Sequence, residues 1–183
     1  HGSLAAAVRW AARPDDGVSL ATRFDVRVAA AAITAGLLVG AMERVLEMSI
    51  AYANERVQFG KPIGKLQAIQ QQLSVASEQT YAARTAALLG LSAAGGLPEA
   101  NRVALAKSRA GEAAVQVAAI SHAVHGAIGI TEEYDLQLFT RRLHEWRREY
   151  GGESYWNEWL GAQFLATTDS PLDFVRARLA NPA

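Results

Sequence analysis

The 183-residue sequence contains no cysteine. Disulfides, thiolate metal ligands and cysteine nucleophiles are therefore excluded, and a reducing, cytoplasmic setting is the simplest expectation. It also lacks a charge imbalance: 18 Lys plus Arg stand against 18 Asp plus Glu, for a formal net charge of zero. Without a basic footprint, nucleic acid is not an expected partner. The usual chemical signatures are missing as well. There is no Gly-x-Gly-x-x-Gly after a strand, no Walker-type phosphate loop and no Gly-x-Ser-x-Gly setting for a serine. His122 and His125 can share a helix face, but no carboxylate stands at a matching helical spacing, so no metal site is expected. Val28 to Met42 is uncharged and includes Gly36-x-x-x-Gly40, a spacing found in membrane helix pairs. Arg27 and Glu43 close it short of the roughly 20 apolar residues of a span, and much of it is alanine. The expectation is a buried helix and no membrane.

What is present is a chain of helices. Half of the residues are apolar, enough for a real core in one domain. His1-Gly2-Ser3 reads as a tag remnant. Residues 4–24 read as irregular, with a turn signal at Pro14-Asp15-Asp16-Gly17 and Val18 to Ala21 as a possible strand stub. Asp25 is the expected N-cap of a first helix over 26–55, with Val28, Ala31, Ala35, Leu38, Met42 and Val45 on one apolar face. A second helix is expected over 65–94, with Leu66, Ile69, Leu73 and Ala76 opening its buried stripe and Gly95-Gly96 stopping it. Pro98 suits the first turn of a third helix, whose stripe is Val103, Ala106, Ala110, Ala113, Val117, Ile120 and Val124. A fourth helix is expected over 133–149, ended by Gly151-Gly152, and a short fifth over 154–166. The tail over 167–183 leaves room for one further helical turn. No strand-like alternation follows residue 25. Short connections favour antiparallel neighbours, so the expected fold is all-α: an up-and-down antiparallel four-helix bundle over 25–166 with a short extra C-terminal helix.

Two loops carry residues of chemical interest. In Glu55-Arg56-Val57-Gln58-Phe59-Gly60, a guanidinium and an amide two residues apart could hold a phosphate, with Gly60 letting backbone come close. The plainer reading is a helix C-terminus, where Arg56 answers the dipole and Gly60 turns the chain. In His125-Gly126-Ala127-Ile128-Gly129-Ile130-Thr131-Glu132-Glu133-Tyr134, two glycines could admit a ligand. The plainer reading there is a helix-to-helix turn with Thr131 as N-cap. Local features alone favour the plainer reading of both loops. Arg141-Arg142 and Arg147-Arg148-Glu149 read as a solvated helix face.

Taken together, the loops resemble the acyl-CoA dehydrogenase family. Tyr52-Ala53-Asn54-Glu55-Arg56-Val57-Gln58-Phe59-Gly60-Lys61-Pro62-Ile63 is similar to that family's "YAxERxQFGxPI", and Gln67-Ala68-Ile69-Gln70 to the "QAIQ" that follows it. His125 to Tyr134 resembles "HGGIGYTEEY". Both motifs occur in order, joined by helices of the right length, within residues 28–150. The resemblance implies the C-terminal helical bundle of a subunit that also has an N-terminal helical domain and a middle β domain. It implies FAD as cofactor, an acyl-CoA substrate, and a homo-oligomer or a hetero-oligomer with a related subunit. Electrons would pass to an electron-transfer flavoprotein. Arg56 and Gln58 would reach the FAD pyrophosphate of a neighbouring subunit, Phe59 would pack near the flavin, and Gly60 and Gly126 would let backbone approach the cofactor. The implied chemistry is α,β-dehydrogenation of a thioester: a carboxylate removes an α-proton and the β-hydrogen leaves as hydride.

The sequence departs from the family pattern in three places. Ala123 stands where the family often has a glutamine pyrophosphate ligand, and Ala127 replaces the motif's second glycine. The family's catalytic glutamate commonly lies in "YEGT"; here the chain reads Glu149-Tyr150-Gly151-Gly152-Glu153. Without a gap Tyr150 takes that position, a one-residue shift brings Glu149 there, and Glu153 is more distant. Tyrosine, with a reference pKa near 10, is a poor base for this step at neutral pH. Glu149 is the candidate base, its plainer reading being a surface acid at a helix end. Some relatives form complexes in which one of two subunit types is catalytic, so a non-catalytic module completing a partner's flavin site is the alternative.

Overall fold

The structure is a computed structural model that describes residues 25–92 and 97–180. The readings of residues 1–24, of Gly95-Gly96 and of Pro182 lie outside the described residues.

Asp25 caps the first helix, α1 (Val26–Glu55), its Oδ1 accepting from the N–H of Arg27 at 2.8 Å and of Val28 at 3.4 Å. All six residues of the expected apolar stripe are buried. The second helix, α2 (Gln67–Leu91), is preceded by a 3-10 turn over Ile63–Lys65. The third, α3 (Ala100–His125), starts later than expected. Pro98 lies outside it, and the N-cap is Glu99, whose carboxylate accepts from the N–H of Asn101 and Arg102. Shorter helices α4 (Leu136–Trp146) and α5 (Glu153–Leu165) follow, and then a turn α6 (Pro171–Phe174) that widens into π-type bonding over Val175–Ala180. The expected start of α4 with Thr131 as N-cap is corrected. Gly126–Ile130 continues α3 as a 3-10 segment, and Thr131 closes it by donating to the Ile128 carbonyl at 2.9 Å. A second correction is a minimal antiparallel hairpin, β1 (Val57–Gln58) with β2 (Lys61–Pro62), too short to show alternation.

Helices α1 and α3 run parallel, since Val28 and Ala31 share a cluster with Val103 and Ala104, while Tyr52 stacks on His125 at the other end. α2 and α4 return antiparallel, which makes the up-and-down bundle. α3 lies at its centre, touching α1, α2, α4 and α5. Its inward residues are small: Ala106, Ala110, Ala113, Ala114 and Ala118 are all buried. Small side chains let helix backbones approach closely, and larger ones from α1 (Leu38, Met42, Val45) and α4 (Leu136, Leu143) fill the remaining space. Two helical segments, Val26–Glu55 and Ala100–Ile130, are long and apolar enough to cross a membrane, yet half and 44% of their apolar windows are buried inside the bundle. That is also the profile of a bundle's core helices.

Two glycines measure the closeness of approach. A Cβ at Gly90 would stand 2.6 Å from the Ala106 Cβ and 3.2 Å from the Arg102 carbonyl, whereas one at Gly40 would meet nothing within 4 Å. Gly→Ala in an open helical position gains about 1 kcal/mol. We therefore expect Gly40→Ala to raise the melting temperature. Gly90→Ala should lower it, because overpacking costs about 1–3 kcal/mol. Thermal denaturation of both variants checks the α2–α3 contact.

Candidate functional site

α1 ends as Arg56 turns extended, its N–H still bonded to the Tyr52 carbonyl at 2.8 Å. The hairpin then pairs Val57 with Pro62 and Gln58 with Lys61, and its base is closed by Ile63 N–H donating to the Arg56 carbonyl at 2.8 Å. Its two loop residues are Phe59 and Gly60, with φ of 53° and 77°. The tightest hairpins need both loop residues left-handed. Glycine accepts this readily. For phenylalanine it costs about 1–2 kcal/mol, and the Phe59 side chain is left 87% exposed.

α3 ends at Gly126, with φ 64° and ψ −143°. A Cβ there would meet nothing within 4 Å, so backbone conformation rather than crowding calls for the glycine. The two loops face each other. Between them opens a cleft of about 500 Å³, lined by Arg56 and Gln58 on one side and by Ala123, His125 and Gly126 on the other. The Arg56 side chain makes no hydrogen bond or ion pair among the described residues, so its fork of donors is free to meet a ligand. His125 is buried, stacks on Tyr52 at 4.5 Å and lies against Tyr134 at 5.1 Å. Its Nδ1 is 2.8 Å from the Ser121 carbonyl. A carbonyl only accepts, so Nδ1 carries the proton. Burial lowers the His125 pKa against the opposing pull of that carbonyl, which favours the neutral form of the ring. His122 Nε2 is 2.9 Å from the Thr140 hydroxyl, and no cluster of three potential ligands exists among the described residues.

A second constellation lies toward the other end of α3. α4 ends at Trp146, short of the expected Glu149, and Arg147 to Tyr150 form turns. Tyr150 has φ 55° and is half exposed; Gly151 has φ 103° and packs so closely on Trp156 that a Cβ would stand 2.8 Å from its Nε1. Glu149 is partly exposed. Glu153 opens α5 and is held by Arg147 in a two-point pair, Nε–Oε1 at 2.9 Å and Nη2–Oε2 at 3.1 Å. Beneath the turn, Lys107 of α3 is fully buried and donates to the carbonyls of Arg147 at 2.8 Å and Gly151 at 3.0 Å. Burial pushes its pKa down to about 8, against the upward pull of Glu153 and Glu149. Lys107 and His125 are 18 residues apart, about 27 Å along a helix.

The sequence profile of the acyl-CoA dehydrogenase C-terminal domain matches residues 15–155. The chain belongs to the acyl-CoA dehydrogenase family, as its C-terminal domain. It is 35% identical over 115 residues to the acyl-CoA dehydrogenase IpdE2 of Mycolicibacterium smegmatis (strain ATCC 700084 / mc(2)155), covering 63% of this chain and 36% of that protein. It is 38% identical over 105 residues to the glutaryl-CoA dehydrogenase of Desulfococcus multivorans, covering 56% of this chain and 27% of that one. The fold superposes on a glutaryl-coenzyme A dehydrogenase in its glutaryl-CoA complex with TM-score 0.69 and 28% identity, over 76% of this chain and 36% of the other. The ChsE4–ChsE5 complex of Mycobacterium tuberculosis shares the fold at TM-score 0.72 and 23% identity, over 78% of this chain and 39% of that one. The chain thus spans about a third of the length of these relatives.

Within this domain the structure brings Arg56, Gln58 and Gly126 to one cleft and sets Phe59 and Gly60 at the tip of the hairpin beside it. Glu149 lies at the far turn. Ala123, in the position where the family often has glutamine, lines the cleft with a methyl group and no donor. The solvated-face reading holds for Arg141, Arg142 and Arg148, which are exposed, but Arg147 is tied to Glu153. Sequence reasoning missed Lys107. Its signal was a lone lysine one turn from Val103 and Gly111, on the buried side of α3.

Burial raises the Glu153 pKa, but the Arg147 hydrogen bonds and charge outweigh it and leave the carboxyl below its ordinary value. A depressed acid stabilises the fold above its unfolded pKa, and that contribution is lost as pH falls through the folded pKa. We expect Glu153→Gln to lower the melting temperature at neutral pH and to flatten its decline on acidification. An unchanged acid limb would contradict the role of the pair.

Proposed function

We propose that this domain completes the FAD site of a flavoprotein that dehydrogenates an acyl-CoA thioester at its α and β carbons. The observation that carries the reading is the single cleft between the two motif loops. Its residues fit a diphosphate. Arg56 brings an unpaired forked cation and Gln58 an amide donor, and the open space over Gly126 lets a ligand come up to backbone. FAD, when bound, supplies acceptance of the hydride. The chain's own residues orient the cofactor, and the partly exposed Glu149 would take the α-proton from the thioester. Phe59, held outward on a strained hairpin loop, would pack against the cofactor or the subunit that carries it. The cleft and the Glu149 turn lie about 27 Å apart along α3. That separation favours an oligomer in which this chain's cleft serves a site whose base belongs to another subunit. Electron-transfer flavoprotein is the acceptor the reading implies.

A second reading is a non-catalytic subunit of a mixed assembly. It is favoured by Tyr150 in the ungapped base position, by the engagement of Glu153 with Arg147, and by the missing donor at Ala123.

Two variants of the full-length protein test this. Loss of a charge-assisted hydrogen bond costs about 1.5–3 kcal/mol, so Arg56→Ala should weaken FAD binding roughly tenfold to a hundredfold. Unchanged affinity would remove Arg56 from the site. Glu149→Gln should abolish reduction of bound flavin by substrate while leaving FAD affinity intact. Normal reduction would place the base on another residue or on a partner, as the second reading requires.

A further inference from the structure

Lys107 is the one lysine buried completely among the described residues. A lysine rarely surrenders its hydration without a specific return, because a buried ammonium needs its donors satisfied. Here the return is two backbone carbonyls, those of Arg147 at 2.8 Å and Gly151 at 3.0 Å. These two carbonyls bracket Arg148, Glu149 and Tyr150. The bracketed segment is strained: Tyr150 sits at φ 55° and the adjoining Gly151 at φ 103°. A non-glycine residue in such a conformation persists only where its surroundings over-determine it.

The rest of this α3 face is cut to the same purpose. Gly111, one turn after Lys107, leaves the space taken by the Glu153 carboxylate, with which a Cβ at that position would collide. Glu153 in turn holds Arg147, the residue whose carbonyl Lys107 grips. The turn is therefore fixed at both ends from below, while Glu149 and Tyr150 keep exposed surface.

We propose that Lys107 is a positioning residue for the acid–base step, its ammonium clamping the Arg147 and Gly151 carbonyls so that the turn presents Glu149 and Tyr150 in one fixed arrangement. The proposal rests on the functional reading above, in which this turn supplies the proton-removing group. It needs no contact between Lys107 and substrate or cofactor.

The test uses Lys107→Met, which keeps the reach and removes the donors, and Lys107→Gln, which restores a shorter neutral donor. Backbone amide and carbonyl NMR signals come first. In Lys107→Met the signals of residues 147–151 should move and their amides lose protection from exchange, while α1 and α2 stay as in the wild type. Lys107→Gln should fall between the two. Signals at 147–151 that do not move, or shifts spread through the whole bundle, would overturn the proposal, and this arm decides without any turnover. In the FAD-loaded full-length protein, kcat should fall at least tenfold in Lys107→Met with KM within twofold, and part of the loss should return in Lys107→Gln. FAD affinity should be unchanged, because the cleft lies far along α3. A loss in KM alone, or an undisturbed kcat, would overturn the positioning role. Failure of the wild type to bind FAD would instead count against the functional reading.

Discussion

The close approach of α3 to its neighbours is the constraint on which the rest of the structure depends. Alanines at 106, 110, 113, 114 and 118 are buried, and Gly90 on α2 admits Ala106 at a distance no larger residue would allow. Small residues cede hydrophobic area and gain contact between backbones. With α3 drawn in, its last turn comes level with the end of α1, and Tyr52 stacks on His125. That register brings the hairpin after α1 and the glycine turn after α3 to the two sides of one cleft. A bulkier α3 would separate the loops, and neither carries a site alone.

The same helix organises a second place for chemistry without mixing it with the first. Lys107 and Gly111 shape the floor under the 147–153 turn, whereas Ala123, His125 and Gly126 line the cleft. Lys107 is charged and buried, holding a strained backbone; across the cleft from Ala123, His125 and Gly126, Arg56 keeps donors free for a ligand. The two places lie about 27 Å apart along one helix, which under the proposed function would let each complete a site shared with another subunit.

Much of this was legible in sequence, for physical reasons that differ by element. The apolar registers of α1 and α3 could be read because burial demands a period near 3.6 and alanine does not obscure it. The cap of α1 could be read because Asp25 is a strong capping type. The start of α3 was misplaced because glutamate is an unusual cap and Pro98 competed for the position. Thr131 misled because its hydroxyl closes a 3-10 turn as readily as it opens a helix. The hairpin was hidden because two-residue strands carry no pattern. The cleft followed from two motifs that mean little separately. The clamp did not, since the distance between Lys107 and Gly151 is closed only by the fold.

Whether both loops hold one cofactor is decided by hydrogen–deuterium exchange of the full-length protein with and without FAD. A shared cofactor should protect residues 56–60 and 123–128 together, at the same FAD concentration. Protection of one segment without the other, or of neither while FAD is bound, would contradict it.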